Sequence, residues 1–263
     1  VRSLLVVALV AGLTACTPAD QTTAAPALTL PPTHAGFDYQ LGGAYDPPAG
    51  VEVVTRDRTA APAPGLYNVC YVNAFQVQPG EQKDWDPDLL LRDAAGNLVI
   101  DEDWNEPLLD LRTDDKRTRI AAKVNAWIDD CAAKGYQAIE PDNYDSYTRS
   151  KNMLTPDQAK AFHTLIATHA HAKNLAIGQK NTVELAGDRE TVGLDFAVAE
   201  ECGEHDECAD YVDAFGNNVI VIEYTSSGLK AACTEYGDAL TIVQRDLEVS
   251  TPGSPDYLRA ACK

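Results

Sequence analysis

The chain has 263 residues with 21 Lys and Arg against 40 Asp and Glu, a formal charge of −19 at pH 7. That balance argues against nucleic acid as a partner, because phosphate binding needs clustered cations, and it favours a cationic partner through long-range attraction. The length admits one large α/β domain or two small ones, and no apolar run is long enough to span a bilayer.

Residues 1–15 read as a secretory signal: Arg2 is followed by a short apolar stretch, Leu4 to Ala11, and then by Leu13-Thr14-Ala15. Cys16 directly after Leu-Thr-Ala resembles the bacterial lipobox, so Cys16 is expected to carry lipid and to anchor the protein outside the cytoplasm; the alternative is a plain signal peptide. Residues 16–33, rich in Thr, Ala and Pro, read as a flexible tether. The folded part then covers 34–263. Setting Cys16 aside leaves Cys70, Cys131, Cys202, Cys208, Cys233 and Cys262, and six cysteines in an exported chain read as three disulfides. Proximity pairs Cys202 with Cys208, and Cys233–Cys262 and Cys70–Cys131 are the expected partners of the rest. The rival, a zinc site, lacks C-x-x-C or H-x-x-x-H spacing.

Short apolar runs then alternate with helix-like stretches. The runs at 37–41, 66–72, 108–111, 136–139, 175–177, 196–199, 219–222 and 240–243 read as strands. Residues 115–133 place Ile120, Val124, Trp127 and Ile128 on one face, with Gly135 as the C-cap. Residues 156–173 follow Thr155, with Pro156 at the first helical position and Gln158 completing a capping box. Such alternation predicts an α/β fold with parallel strands under covering helices. No G-x-G-x-x-G or P-loop points to a nucleotide-binding open sheet.

The ends of the runs carry the chemistry. Asn73 follows the second run; Asp110 and Arg112 lie in and after the third; Glu140-Pro141-Asp142-Asn143 follows the fourth. The later runs lead to Gln179-Lys180-Asn181, Glu200-Glu201, Glu223-Tyr224 and Arg245-Asp246. In a parallel barrel all C-terminal strand ends share one face, and active sites are built there. Polar residues after a single strand are ordinary loop composition; acids or amides after nearly every strand predict an acidic cleft. Glycosidic cleavage needs two facing carboxylates, one as proton donor and the other as nucleophile or base. Asp142 and Glu200 are the preferred pair, with Glu223 as a third candidate. Asp110, Arg112, Asn143 and Lys180 are expected to orient them or to bind sugar, although a structural ion pair is an equal alternative for Arg112 and Lys180.

Other chemistries fit less well. No G-x-S-x-G elbow is present. His163, His169 and His171 fall in one helix, and the last two cannot share a face. Asp142, Asp145 and Asp206 lack the EF-hand pattern for calcium. No cofactor or metal is expected.

At these residues the sequence resembles glycoside hydrolase family 114, the endo-α-1,4-polygalactosaminidases. The matching stretches are Phe37-Asp38-Tyr39-Gln40-Leu41, Cys70-Tyr71, Trp104 through Asp110 and Arg112, and Gly135 through Glu140-Pro141-Asp142-Asn143 to Tyr147. Gln179-Lys180-Asn181, Glu200-Glu201-Cys202, Glu207-Cys208 and Val221-Ile222-Glu223-Tyr224 follow in the family's order. The resemblance implies a (β/α)8 TIM-type barrel, endo-hydrolysis of galactosamine-containing polysaccharide, and catalytic acids at Asp142 and Glu200. Tyr39, Gln40, Asn73, Asp110, Arg112, Glu140, Asn143, Lys180, Asn181, Glu223 and Tyr224 are the expected substrate-binding set. The family more often has Ser and Gly where Asn73-Ala74-Phe75-Gln76 stands, and Asn where Ala199 precedes Glu200. The expected function is that of an extracytoplasmic glycosidase whose partner is a polysaccharide and whose only membrane contact is a lipid. The alternative is a lipoprotein that binds glycan in the same cleft without cutting it.

Overall fold

Residues rich in β-branched and aromatic side chains fall into extended segments buried on both faces, and these build a single curled sheet. The computed structural model describes residues 28–262; the expected signal, most of the tether and Cys16 lie outside the described residues. The parallel strands are β1 (Phe37–Gln40), β2 (Val53–Asp57) and β3 (Tyr67–Asn73). After a two-stranded excursion, β4 (Ile100–Asp101) with β5 (Glu106–Pro107), come β6 (Ala138–Asp142), β7 (Ala176–Lys180), β8 (Phe196–Glu200), β9 (Val219–Glu223) and β10 (Thr241–Arg245). Each of these eight pairs in parallel with the next in chain order. A last short strand, β11 (Arg259–Ala261), runs antiparallel beside β10.

The sheet curls far enough to enclose a core of its own. Phe37, Val53, Val69, Ala138, Ala176, Phe196, Ile220 and Val243, one from each of the eight parallel strands, belong to one buried cluster. A second cluster lies outside the sheet, where Ile120, Val124 and Ile128 of α1 (Asp114–Lys134) and Phe162 and Ile166 of α2 (Pro156–Ala172) cover it. The fold is thus a mostly parallel, TIM-barrel-like α/β sheet, as expected. β1 and β10 meet at a seam with no backbone ladder between them. There the buried Asp38 carboxylate accepts from Arg259 Nε at 3.1 Å and faces Arg245 Nη1 at 3.8 Å, while the Gly42 amide donates to the Val249 carbonyl.

The helix signals hold. Thr113 caps α1 at its start, and Gly135 at φ 92° ends it in the left-handed conformation glycine tolerates. Thr155 and Gln158 form the capping box of α2. Short helices α3 (Arg189–Val192), α4 (Cys202–His205), α5 (Cys208–Phe215) and α6 (Ser226–Tyr236) follow β7 to β9. Three disulfides join Cys70 to Cys131, Cys202 to Cys208 and Cys233 to Cys262, the expected pairs.

Two strand assignments need correction. The 108–111 run is not a barrel strand: Leu108 and Leu109 make isolated bridges to Gln76 and Leu90 within the long β3–α1 excursion, and their burial comes from packing there. The missing strand is β2, whose Thr55 and Arg56 are polar yet buried and so hide its apolar pattern. Expected strands also stop too early. Glu140, Asp142, Lys180, Glu200, Glu223 and Arg245 all belong to ladders, because neighbouring strands supply partners for their polar side chains.

Candidate active site

The C-terminal strand ends surround a cleft of about 300 Å³. Its centre is Lys180, the last residue of β7, only 2% exposed. A cation so deeply buried needs counter-charges, and three carboxylates on two strands, β6 and β8, supply them. Lys180 Nζ lies 3.2 Å from Glu140 Oε1, 3.3 Å from Asp142 Oδ1 and 3.3 Å from Glu200 Oε2, with the Tyr39 hydroxyl at 3.1 Å. Because one nitrogen touches both, the Asp142 and Glu200 oxygens facing it cannot be farther apart than twice 3.3 Å.

Each carboxylate has its own holder. The Tyr71 hydroxyl donates to Asp142 Oδ2 at 2.6 Å from β3, where Asn73 stands opposite Asp142 in the ladder. Tyr224, just past β9, donates its hydroxyl to Glu200 Oε1, and Asn181 Nδ2 donates to Glu200 Oε2 at 2.9 Å. Glu140 sits beneath, fully buried, accepting from Tyr39 at 2.8 Å.

Burial opposes ionisation of Asp142, but the Lys180 cation and the Tyr71 and Asn143 donors outweigh it and hold the carboxyl below the ordinary aspartate range. For Glu140 the balance reverses: burial and the neighbouring acids raise its carboxyl although Lys180 opposes them. Burial works against the Lys180 charge too, yet the surrounding acids keep its ammonium well above the usual lysine range. The site thus sets an aspartate held below its ordinary range across from a glutamate of similar partial exposure, two carboxylates that can act at one anomeric centre.

Of the expected residues, Tyr39, Asp142, Asn143, Lys180, Asn181, Glu200 and Tyr224 line the cleft. Glu140 and Asn73 stand behind them; Asn73 accepts from Asn143 at 3.0 Å and donates to Glu106 at 2.8 Å. Gln40 lies off the cleft, bonded to Asp38 and Arg56. Asp110 and Arg112 do not reach it either. Asp110 is buried under Arg112 and Lys116 at 2.7 and 2.6 Å, a structural ion pair leading into α1. Glu223 also points away, accepting the Gly203 amide at 2.7 Å.

Several cleft residues went unassigned in the sequence. Tyr71 carried a signal in Cys70-Tyr71, as did Trp104 and Glu106 in the stretch from Trp104 to Asp110, whereas Arg149 and Leu247 lie outside every matching stretch. The histidines take structural places: burial pushes His163 down to about 3, and His169 and His171 pair with Asp129 and Asp195. Asp145 is paired with Arg149, and Asp206 lines a separate cavity beside α6. A grouping of Cys202, Cys208 and Glu223 has metal-ligand proximity, but its two cysteines are bonded to each other.

The fold and site can be set beside known proteins. The structure matches the crystal structure of Aspergillus fumigatus Ega3 in complex with galactosamine at a TM-score of 0.74 and 20% identity, covering 91% of this chain and 100% of that one. It matches the glycoside hydrolase domain of PelA from Pseudomonas aeruginosa at 0.58 and 12% identity, covering 86% and 98%. Eubacterium rectale Amy13B matches at 0.52 and 6% identity, covering 84% and 67%. No curated protein sequence matches the chain. The model of glycoside-hydrolase family GH114 matches residues 17–263, nearly the whole sequence, and the chain belongs to that family.

Proposed function

We propose that the chain is an extracytoplasmic, endo-acting hydrolase of galactosamine-containing polysaccharide, with Asp142 as nucleophile and Glu200 as acid and base. The observation that carries the pairing is the buried ammonium of Lys180, 3.3 Å from each carboxylate, and the roles follow from Asp142 being held below its ordinary range. It keeps Asp142 ionised and limits the separation of the pair. Retaining enzymes hold their carboxyls about 5–5.5 Å apart, and inverting ones leave roughly 6.5–9.5 Å for a water. Acceptors at the tetrahedral angle around one ammonium would stand about 5.4 Å apart, which favours retention.

On this reading an Asp142 oxygen bonds to the anomeric carbon as its bond to the leaving oxygen breaks, and Glu200 gives that oxygen its proton. Glu200 then takes a proton from water, whose oxygen replaces Asp142 at the same carbon. Tyr224 and Asn181 hold Glu200 through both steps. The galactosamine in the Ega3 structure supports the substrate class, as does the acidic balance of the chain. The three disulfides support an extracytoplasmic site, and lipid on Cys16 would supply the anchor.

Asp142→Asn and Glu200→Gln should each abolish the release of new reducing ends from a galactosamine polymer while circular dichroism shows the fold intact. Full activity in both variants would overturn the assignment. Wild-type protein that retains polymer and releases no product would instead mark a glycan-binding protein.

A further inference from the structure

The β4–β5 hairpin enters the cleft from outside the barrel ladder. Its turn carries Trp104, 51% exposed, and β5 carries Glu106, 9% exposed, and both line the cleft wall. The other carboxylates there are already answered. Asp142 and Glu200 share Lys180, and the Arg149 guanidinium holds Asp145 at 2.7 and 2.8 Å. Glu248 lies exposed on the cleft rim, where water and salt screen it.

Glu106 differs from all of these. Oε2 accepts from Asn73 Nδ2 at 2.8 Å, and among the described residues Glu106 makes no ion pair. The groups facing it are Asn73 from β3, Asp101 from β4, Asp142 from β6 and Arg149 from the turn after β6. Arg149 is committed to Asp101 at 2.7 Å and to Asp145, so it does not neutralise Glu106 directly. A desolvated carboxylate with an open oxygen on a binding cleft is costly unless a cationic ligand completes it.

We propose that the β4–β5 hairpin selects a cationic amino sugar: Glu106 accepts the ammonium group of a bound hexosamine residue, and the Trp104 indole stacks on the sugar's apolar face. This rests on the reading of the chain as a hydrolase of galactosamine-containing polysaccharide. An N-acetylated residue would present a neutral amide to the same carboxylate and leave its charge unanswered. Burial pushes the Glu106 carboxyl up to about 7. The ionised form is the one that binds ammonium, so affinity for the amine polymer should fall as the pH drops below that value.

The test compares polygalactosamine with the same polymer after N-acetylation, on wild type and Glu106→Gln. Steady-state KM is measured, or the inhibition constant where the acetylated polymer is not cut. Glu106→Gln should raise KM for the amine polymer about tenfold, with kcat within about threefold and acetylated binding unchanged. In the wild type, KM for the amine polymer should rise about tenfold between about pH 7.5 and 5.5 while the acetylated value stays level. The second arm needs no variant to fold. Equal effects on both polymers, or an affinity ratio that neither pH nor the substitution moves, would overturn the role of Glu106 alone. Wild-type protein that cuts neither polymer would overturn the substrate reading and this inference with it.

Discussion

Asn181, just past the end of β7, and Glu200, the last residue of β8, exchange two hydrogen bonds. Asn181 Nδ2 donates to Glu200 Oε2 at 2.9 Å, and the Glu200 amide donates to Asn181 Oδ1 at 2.8 Å. The second bond fixes the amide plane so that the first must point at the carboxylate. Asn181→Ala should therefore lower kcat about ten- to a hundredfold, a loss of roughly 1–3 kcal/mol, with a smaller change in KM. Steady-state kinetics beside a melting curve separates this from unfolding.

Lys180 answers three buried or partly buried acids at once, so its replacement should cost both stability and activity. Lys180→Met should lose about 3–5 kcal/mol, because uncompensated charges remain in the cleft. Asp142 titrates below its unfolded value, so its pairing stabilises the fold above the unfolded carboxylate range and ceases to do so as pH falls through the folded value. Denaturant titrations across acidic pH should show that dependence flattened in Lys180→Met. The acid limb of any residual kcat/KM should move to higher pH, since burial then acts on Asp142 unopposed.

Glu223 is a clasp and not part of the cleft. It accepts the Gly203 amide at 2.7 Å, and a Cβ placed on Gly228 would fall 2.0 Å from its Oε2. Glu223→Gln should leave kcat within about threefold of wild type. Gly228→Ala should destabilise by about 2 kcal/mol or more, because a methyl group cannot fit against the carboxylate. Hydrolysis rates and urea midpoints on the two variants test both halves.

The disulfides close loops of different length, with sequence separations of 61, 29 and 6 for Cys70–Cys131, Cys233–Cys262 and Cys202–Cys208. Loop-closure entropy ranks their loss at about 4, about 3.6 and about 2 kcal/mol. Paired alanine replacements followed by urea unfolding should reproduce that order.

What the sequence revealed follows from where side chains find partners. Seven of the eight parallel strands were legible because each carries a short apolar run, alternating in β1 and apolar on both faces in strands such as β8 and β9. β2 was not, because Arg56 is buried by bonding to Gln40 and to the Ala61 and Tyr45 carbonyls, a compensation no hydropathy pattern displays. Strand-end polarity correctly brought Asp142, Lys180 and Glu200 together. It also drew in Asp110 and Arg112, which neutralise each other in a loop and look the same in sequence as a catalytic set. Trp104 and Glu106 lay in a matching stretch but were given no role, because their position depends on how a long excursion folds back, through contacts such as Asn73 to Glu106.

The seam between β1 and β10 has a bearing on how the molecule is assembled. Arg259, which carries β11 against β10 and reaches Asp38 and the Phe37 carbonyl, lies 221 residues beyond Asp38 in the chain. A contact of that range forms late and slowly, since the entropy of joining such distant segments is lost before the contact offsets it. During synthesis β1 therefore waits, without its final neighbour, until β10 and β11 have been made. A ring closed by a contact of that range stays open at one edge until both of its outermost strands exist, so the polar contact that answers the buried Asp38 is also among the last to be made.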